Sequence, residues 1–220
     1  CLVGSEMCIR DRLTEGRSYS VDATNASRTL LMDINNVSWS EEMCNLLNIP
    51  INRLPEIKNS ADEYGETSLF GGKIKISGIA GDQQAALIGQ GCFKAGEAKS
   101  TYGTGCFMML NTGPDVKLSK SKLLSTIGYQ IDGKVSYALE GSIFMAGASV
   151  QWLRDNLEFF SSSPEIENLA KNSNKNSNVS FIPAFTGLGA PYWDPEARGA
   201  IFRLSRDCPL YTSPIPREQR

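Results

Sequence analysis

Ile76 to Phe107 reads ISGIAGDQQAALIGQGCFKAGEAKSTYGTGCF. The stretch presents two half-sites on either side of a hinge. One half places a carboxylate, Asp82, and the other a Gly-Thr-Gly turn, Gly103 to Gly105. The residues leading to Asp82 read as a strand, because Ile74, Ile76 and Ile79 are β-branched and Gly78 and Gly81 punctuate the run. Asp82 is expected at a helix N-cap: Ala85, Ala86, Leu87 and Ile88 follow at helical spacing, and Gly89 and Gly91 end the pattern. A carboxylate at a strand–helix junction faces the crevice where ligands of open α/β sheets bind. The plainer reading is a cap that stabilises the helix by about 1 kcal/mol.

Beyond the hinge, Thr101 to Leu110 reads as strand, turn, strand. Gly103 and Gly105 permit positive φ and close backbone approach. Thr104 between them offers a hydroxyl and an amide to a phosphate oxygen, and an ordinary hairpin turn is the alternative. No Gly-Lys-Ser or Gly-Lys-Thr occurs, so the turn is not a Walker A loop.

Composition narrows the chemistry. The 220 residues carry a formal net charge of −2, so no basic surface points to nucleic acid. No apolar run is long enough to span a membrane. Histidine is absent, which excludes Ser-His-Asp, Cys-His and His-metal chemistry from the chain. A general base must then be Asp, Glu, Lys, Tyr or Cys. Cys1, Cys8, Cys44, Cys92, Cys106 and Cys208 form no Cys-x-x-Cys pair, so no zinc site is expected and reduced thiols are. Three sequons, at Asn25, Asn36 and Asn178, are expected to stay idle.

Elsewhere the chain reads mostly as scaffold. Asp22 to Thr29 carries capping and turn residues, with a polar active-site edge as the functional alternative. Leu30, Leu31, Met32 and Ile34 read as a small buried cluster. Ser40 caps a helix with Met43, Leu46 and Leu47 as its apolar stripe, ended at Ile49-Pro50. Glu63 to Lys75 reads as a hairpin around Gly71-Gly72. Leu124 to Gln130 and Val135 to Leu139 flank an Asp132-Gly133 turn. Glu140-Gly141-Ser142 is expected to turn into a helix with Phe144, Val150, Trp152, Leu153 and Leu157 as apolar positions. Gly147 and Gln151 share one side of it at i, i+4; helix packing and a solvated amide are the plain readings of that pair. Ser161 to Asn178 is polar and low in complexity, preceded by a short helix from Pro164. Phe181 to Phe185 and Ala200 to Leu204 read as strands. Tyr192, Trp193, Asp194 and Arg198 are expected at the core of the loop between them.

Five blocks, taken together, resemble the FGGY carbohydrate kinase family: DATNASRTLL (Asp22–Leu31), GIAGDQQAALIGQ (Gly78–Gln90), TYGTGCF (Thr101–Phe107), ALEGSIFMAGASVQWLRD (Ala138–Asp155) and FIPAFTGLGAPYWDPEARG (Phe181–Gly199). The resemblance covers residues 13–208. It implies an α/β, actin-like (ribonuclease H-like) two-domain kinase fold, incomplete at both ends. Residues 13–91 would be the later part of the family's N-terminal domain and 92–208 the early part of its C-terminal domain, with the hinge in 92–100. Residues 1–12 and 209–220 depart from the family and read as non-native, adaptor-like segments.

The same resemblance implies ATP-dependent phosphorylation of glycerol to glycerol 3-phosphate by the complete protein, in the cytoplasm, as a homo-oligomer. Asp82 would be the catalytic base and, with Gln83, would bind glycerol. Thr104, Gly147 and Gln151 would bind ATP or ADP. Mg2+ would bridge the phosphates, with no metal ligand assignable. Glycerol and ATP are the expected partners, with no nucleic acid and no membrane span. The chain by itself is expected to be inactive. Two alternatives stand beside this reading: another FGGY kinase, such as one for a pentulose, and a non-catalytic actin-like nucleotide-binding protein. Gln83-Gln84 and Cys106 favour glycerol, and an aspartate at 82 argues for catalysis. In some bacterial members a sugar bisphosphate binds the loop matching Gly71–Lys73; a plain surface hairpin is the alternative there.

Overall fold

The structure, a computed structural model, describes residues 5–172 and 178–204. In chain order its elements are α1 (Ser5–Thr14), β1 (Ser20–Asp22), α2 (Ala23–Ala26), β2 (Met32–Asp33), β3 (Ser38–Trp39), α3 (Glu41–Leu46), a 3-10 turn (Ile51–Arg53), β4 (Glu56–Lys58), β5 (Ala61–Thr67), β6 (Ile74–Gly78), α4 (Asp82–Gly89), β7 (Ala98–Tyr102), β8 (Cys106–Gly113), β9 (Leu124–Ile131), β10 (Lys134–Ile143), α5 (Gly147–Asp155), α6 (Glu165–Asn172), β11 (Ser180–Ile182) and β12 (Ala200–Phe202). The chain divides into two compact units. The first takes the described residues through Lys99 together with Met108–Glu140; the second takes Ser100–Phe107 and the described residues from Gly141 on.

In the first unit, β1 runs parallel to β4, with Ser20 opposite Glu56. β5 and β6 form the antiparallel hairpin expected around Gly71-Gly72. α1 packs its Arg10 inward: the guanidinium is buried and donates to the Ser20 carbonyl oxygen. α3 begins as its sequence directs, with Ser40 Oγ accepting the Met43 N–H at 3.2 Å and Glu41 and Glu42 in the first turn. Its apolar stripe does not face inward. Leu46 is 71% exposed and Leu47 is also exposed, while Cys44 is buried. The six-residue helix docks by the Cys44 face, where the Ile49 N–H closes onto the Cys44 carbonyl at 2.8 Å. The expected cluster at 30–34 is also revised. Leu30 adopts left-handed backbone (φ 64°) and is 76% exposed, whereas Leu31 is buried.

A four-stranded sheet has the order β7-β8-β10-β9. Asp132 and Gly133 both take positive φ (50° and 73°), the geometry that a two-residue hairpin turn requires. They set the β9–β10 register from Lys134 opposite Ile131 to Glu140 opposite Leu124. Leu87 of α4 packs with Cys92, Met109 and Ala138. A Cβ on Gly128 would stand 3.3 Å from Leu87 Cδ2 and 3.1 Å from the Ser136 carbonyl oxygen, so the glycine lets α4 lie close on β9. Burying Leu87 contributes about 2 kcal/mol. A second cluster joins Ala23, Ile127 and Tyr137, with Met32, Ile34 and Ile57 against it.

β10 runs on to Ile143, so Glu140-Gly141-Ser142 is strand and not the expected turn into a helix. In the second unit, α5 starts only at Gly147. Trp152 of α5 packs on Phe185, with ring centroids 4.7 Å apart, and stacks on Phe181 at 6.0 Å. β11 and β12 pair antiparallel, shorter than the strands read from the sequence. The loop between them is ordered by Asp194, whose Oδ1 accepts the Glu196 and Ala197 N–H groups at 2.9 and 3.1 Å. It is not cored as expected: Tyr192, Asp194 and Arg198 are exposed, and Trp193 alone of the four is half-buried, edge-on to Phe144. The polar stretch at 173–177 and the adaptor-like end at 209–220 lie outside the described residues.

Candidate active site

Asp82 opens α4, but not as its cap. Gly81 holds the N-cap position with extended backbone (φ −60°, ψ 150°), and Asp82 is the first helical residue. Two contacts place the cap there. The Gly81 N–H donates to Thr24 Oγ1 at 2.9 Å. A Cβ on Gly81 would stand 2.6 Å from Gln84 Oε1. With the cap taken by a residue without a side chain, the Asp82 carboxylate is exposed, and its bonds are to the next residue. Oδ1 accepts the Gln83 N–H at 2.8 Å and Oδ2 faces Gln83 Nε2 at 3.2 Å. The preceding strand differs from expectation too. β6 ends at Gly78 and pairs antiparallel with β5, so Asp82 does not sit at the mouth of a parallel sheet.

Beneath this helix start lies a buried polar network. Asp22 caps α2, accepting from the Thr24 N–H (2.9 Å), the Asn25 N–H (3.2 Å), the Thr24 hydroxyl (2.5 Å), Asn25 Nδ2 (2.6 Å) and the Ser60 hydroxyl (3.3 Å). Burial pushes the Asp22 carboxyl above the ordinary range, opposed by the bonds from Thr24 and Asn25. Burial also pushes the Tyr64 hydroxyl up, assisted by the charges of Asp22 and Asp62. Thr24 links this network to the site, because the hydroxyl that donates to Asp22 also receives the Gly81 N–H. Gln84 is buried and donates to the Ile127 carbonyl oxygen at 3.3 Å. Lys99 is buried and donates to Gln83 Oε1. Sequence reasoning read Asp22 to Thr29 as caps and turns and did not single out Lys99. A lone lysine in a strand gives no signal of burial.

In the second unit the Gly103–Gly105 turn meets the start of α5. The Ala146 and Ala148 N–H groups donate to the Thr104 carbonyl at 2.8 and 3.2 Å, and the Gly147 N–H donates to the Gly103 carbonyl at 2.8 Å. These amides are therefore committed to the turn. A Cβ on Gly147 would stand 2.6 Å from the Gly103 oxygen, so close packing demands the glycine. Gly105 is likewise required by the Ile143 carbonyl oxygen, 2.6 Å from its absent Cβ. Neither Gly103 nor Gly105 has positive φ, contrary to the expectation for the turn. Thr104 is exposed, and its N–H and hydroxyl engage no partner among the described residues. Gln151 is exposed on α5, and the Ser149 hydroxyl is buried without a hydrogen-bond partner among the described residues. Asp82 and Gln83 thus belong to the first unit, and Thr104, Gly147 and Gln151 to the second.

Among the described residues, no three His, Cys, Asp or Glu side chains gather into a metal-holding group, and no helix is long and apolar enough to cross a membrane. Lys73 is exposed and lines, with Arg17, Glu66, Thr67 and Ser68, a pocket of ≈ 360 Å³.

The profile of the FGGY family of carbohydrate kinases, C-terminal domain, matches residues 98–213, and that of the N-terminal domain matches residues 1–89. The chain belongs to the FGGY family of carbohydrate kinases. Among FGGY relatives, it is 59% identical to glycerol kinase 1 of Pseudomonas aeruginosa and 57% identical to a glycerol kinase of Alteromonas mediterranea, over 89% of this chain and 40% of each relative. The chain therefore spans about 40% of the length of the curated relatives it matches. Among solved structures, Plasmodium falciparum glycerol kinase with ADP superposes with a TM-score of 0.79 at 42% identity, covering 91% of this chain and 40% of that one. Ligand-bound xylulose kinase from Lactobacillus acidophilus matches in fold, with a TM-score of 0.79 at 23% identity over 94% of this chain and 43% of that one. The fold is the actin-like, ribonuclease H-like α/β fold of the FGGY kinases.

Proposed function

We propose that the complete protein carrying this chain phosphorylates glycerol with ATP to give glycerol 3-phosphate. The observation that carries the reading is the Asp82 carboxylate, exposed at the first position of α4 with both oxygens held by Gln83. Phosphorylating a neutral polyol requires a hydroxyl oxygen aimed at the γ-phosphate and a base to take its proton as the P–O bond forms. Asp82 fills the base's role, and Gln83 holds a neighbouring hydroxyl. The free N–H and hydroxyl of Thr104 suit a phosphate oxygen, and Gly147 and Gln151 complete the proposed nucleotide contacts. Mg2+ belongs to the same proposal, with no protein ligand assigned to it. The glycerol kinase relatives and the ADP-bound neighbour support glycerol and ATP as the substrates. A cytoplasmic location and a homo-oligomeric state belong to the same proposal.

Gln84 is buried scaffold, and Cys106 is buried with its sulfur 3.4 Å from the Ser100 hydroxyl. Of the residues that favoured glycerol, Gln83 is the one beside the carboxylate. The test is turnover of glycerol against xylulose by the complete protein at equal ATP. A kcat/KM for glycerol about a hundredfold the higher is expected; equal or reversed preference overturns the assignment of substrate.

A further inference from the structure

Lys99 lies in β7 and is 2% exposed. An ammonium group has three donors and no acceptor, so the Gln83 atom that faces it is the amide oxygen, Oε1. The amide nitrogen is thereby turned outward, where it stands 3.2 Å from Asp82 Oδ2. The Gln83 backbone N–H holds Oδ1 at 2.8 Å. Both carboxylate oxygens are thus held by one residue, and that residue's side chain is anchored by a buried cation. A buried ammonium needs acceptors for its donors, and Gln83 Oε1 is one that the fold supplies.

We propose that Lys99 is a positioning residue that fixes the Asp82 carboxylate through the Gln83 amide. The proposal rests on the kinase reading of Asp82. It has a chemical consequence for the substrate. With its oxygen committed inward, Gln83 presents only N–H groups at the surface. A substrate hydroxyl beside it is held as an acceptor, while the hydroxyl that gives up its proton must face Asp82. Lys99 in this way separates the two hydroxyls of a vicinal polyol by hydrogen-bond direction.

The test is a double-mutant cycle in the complete protein with Lys99→Met, Gln83→Met and both together, plus Lys99→Arg. Each single variant is expected to lower kcat about tenfold, and the double to lose no more than the worse single, since both cut one chain. Lys99→Arg, which keeps a cationic donor, is expected to recover most of the loss. A merely structural lysine would lower the thermal midpoint while leaving kcat per folded molecule unchanged. That outcome, or losses that multiply in the double variant, overturns the proposal. If Lys99→Met fails to fold, Gln83→Met and Lys99→Arg decide it: wild-type kcat in Gln83→Met overturns the tether. If the wild type phosphorylates no polyol, the kinase reading falls separately. The Gln83 side-chain amide resonances then decide the tether, which is overturned if Lys99→Met leaves them unmoved.

Discussion

Replacing Thr24 by valine removes one hydroxyl and keeps the shape. In the folded chain that hydroxyl donates to Asp22 Oδ2 at 2.5 Å and accepts the Gly81 N–H at 2.9 Å. Asp22 is fully buried, so its carboxylate loses a donor where water cannot replace it, while Thr24 and Asn25 amides, Asn25 Nδ2 and Ser60 remain. A hydrogen bond to a charged group is worth about 1.5–3 kcal/mol, and leaving the Gly81 amide without an acceptor adds about 1 kcal/mol. The expected loss is therefore about 3 kcal/mol, measured as the shift in urea unfolding between wild type and Thr24→Val. Thr24→Ser, which keeps the hydroxyl, should lose about 1 kcal/mol from its missing methyl. Amide exchange at Gly81 should quicken in Thr24→Val beyond what the global loss explains, because the cap of α4 is tied down by that bond. A loss under about 0.5 kcal/mol would refute the argument that Thr24 couples the buried carboxylate to the start of α4.

Two further outcomes follow from packing and titration. Gly147→Ala places a Cβ 2.6 Å from the Gly103 carbonyl oxygen, so unfolding measurements should show a loss of about 1–3 kcal/mol. Burial raises the Asp22 carboxyl, so the folded state binds that proton more tightly than the unfolded chain does. Its contribution to stability is greatest below the unfolded pKa and is lost as pH rises toward the folded pKa. Asp33 and Asp62, lowered by the Asn35 backbone and the Asn59 side chain, act with the opposite sign, losing stability as pH falls. Comparing wild type with Asp22→Asn isolates the Asp22 share: the stability difference between them should change with pH above the ordinary carboxyl range, and a flat difference would contradict the assignment.

Elements fixed by neighbours in sequence were legible. Ser40 caps α3 because a hydroxyl placed before Glu41 and Glu42 meets the Met43 N–H, a contact local to four residues. Asp132-Gly133 makes its hairpin because both residues tolerate positive φ. Features set across the chain were not. Asp82 looked like a cap because acids favour that position, yet Thr24 and Gln84, distant or buried, give the cap to Gly81. Gly103 and Gly105 looked like residues chosen for backbone freedom, yet Gly105 is set by an approaching carbonyl and neither has positive φ. The i, i+4 spacing of Gly147 and Gln151 does lie on α5, though the glycine answers first to the turn packed against it. Lys99 was invisible because a buried, amide-bound lysine and a solvated one have the same local pattern.

The most direct test is kcat for glycerol phosphorylation by the complete protein with Asp82→Asn. Asparagine keeps the shape and, through its amide oxygen, the bond from the Gln83 N–H at the start of α4, but cannot accept the substrate's proton. A general base contributes roughly 10²–10⁴-fold, so kcat should fall by at least about a hundredfold with the fold and the affinity for ATP retained. Turnover within about threefold of wild type would contradict Asp82 as the base.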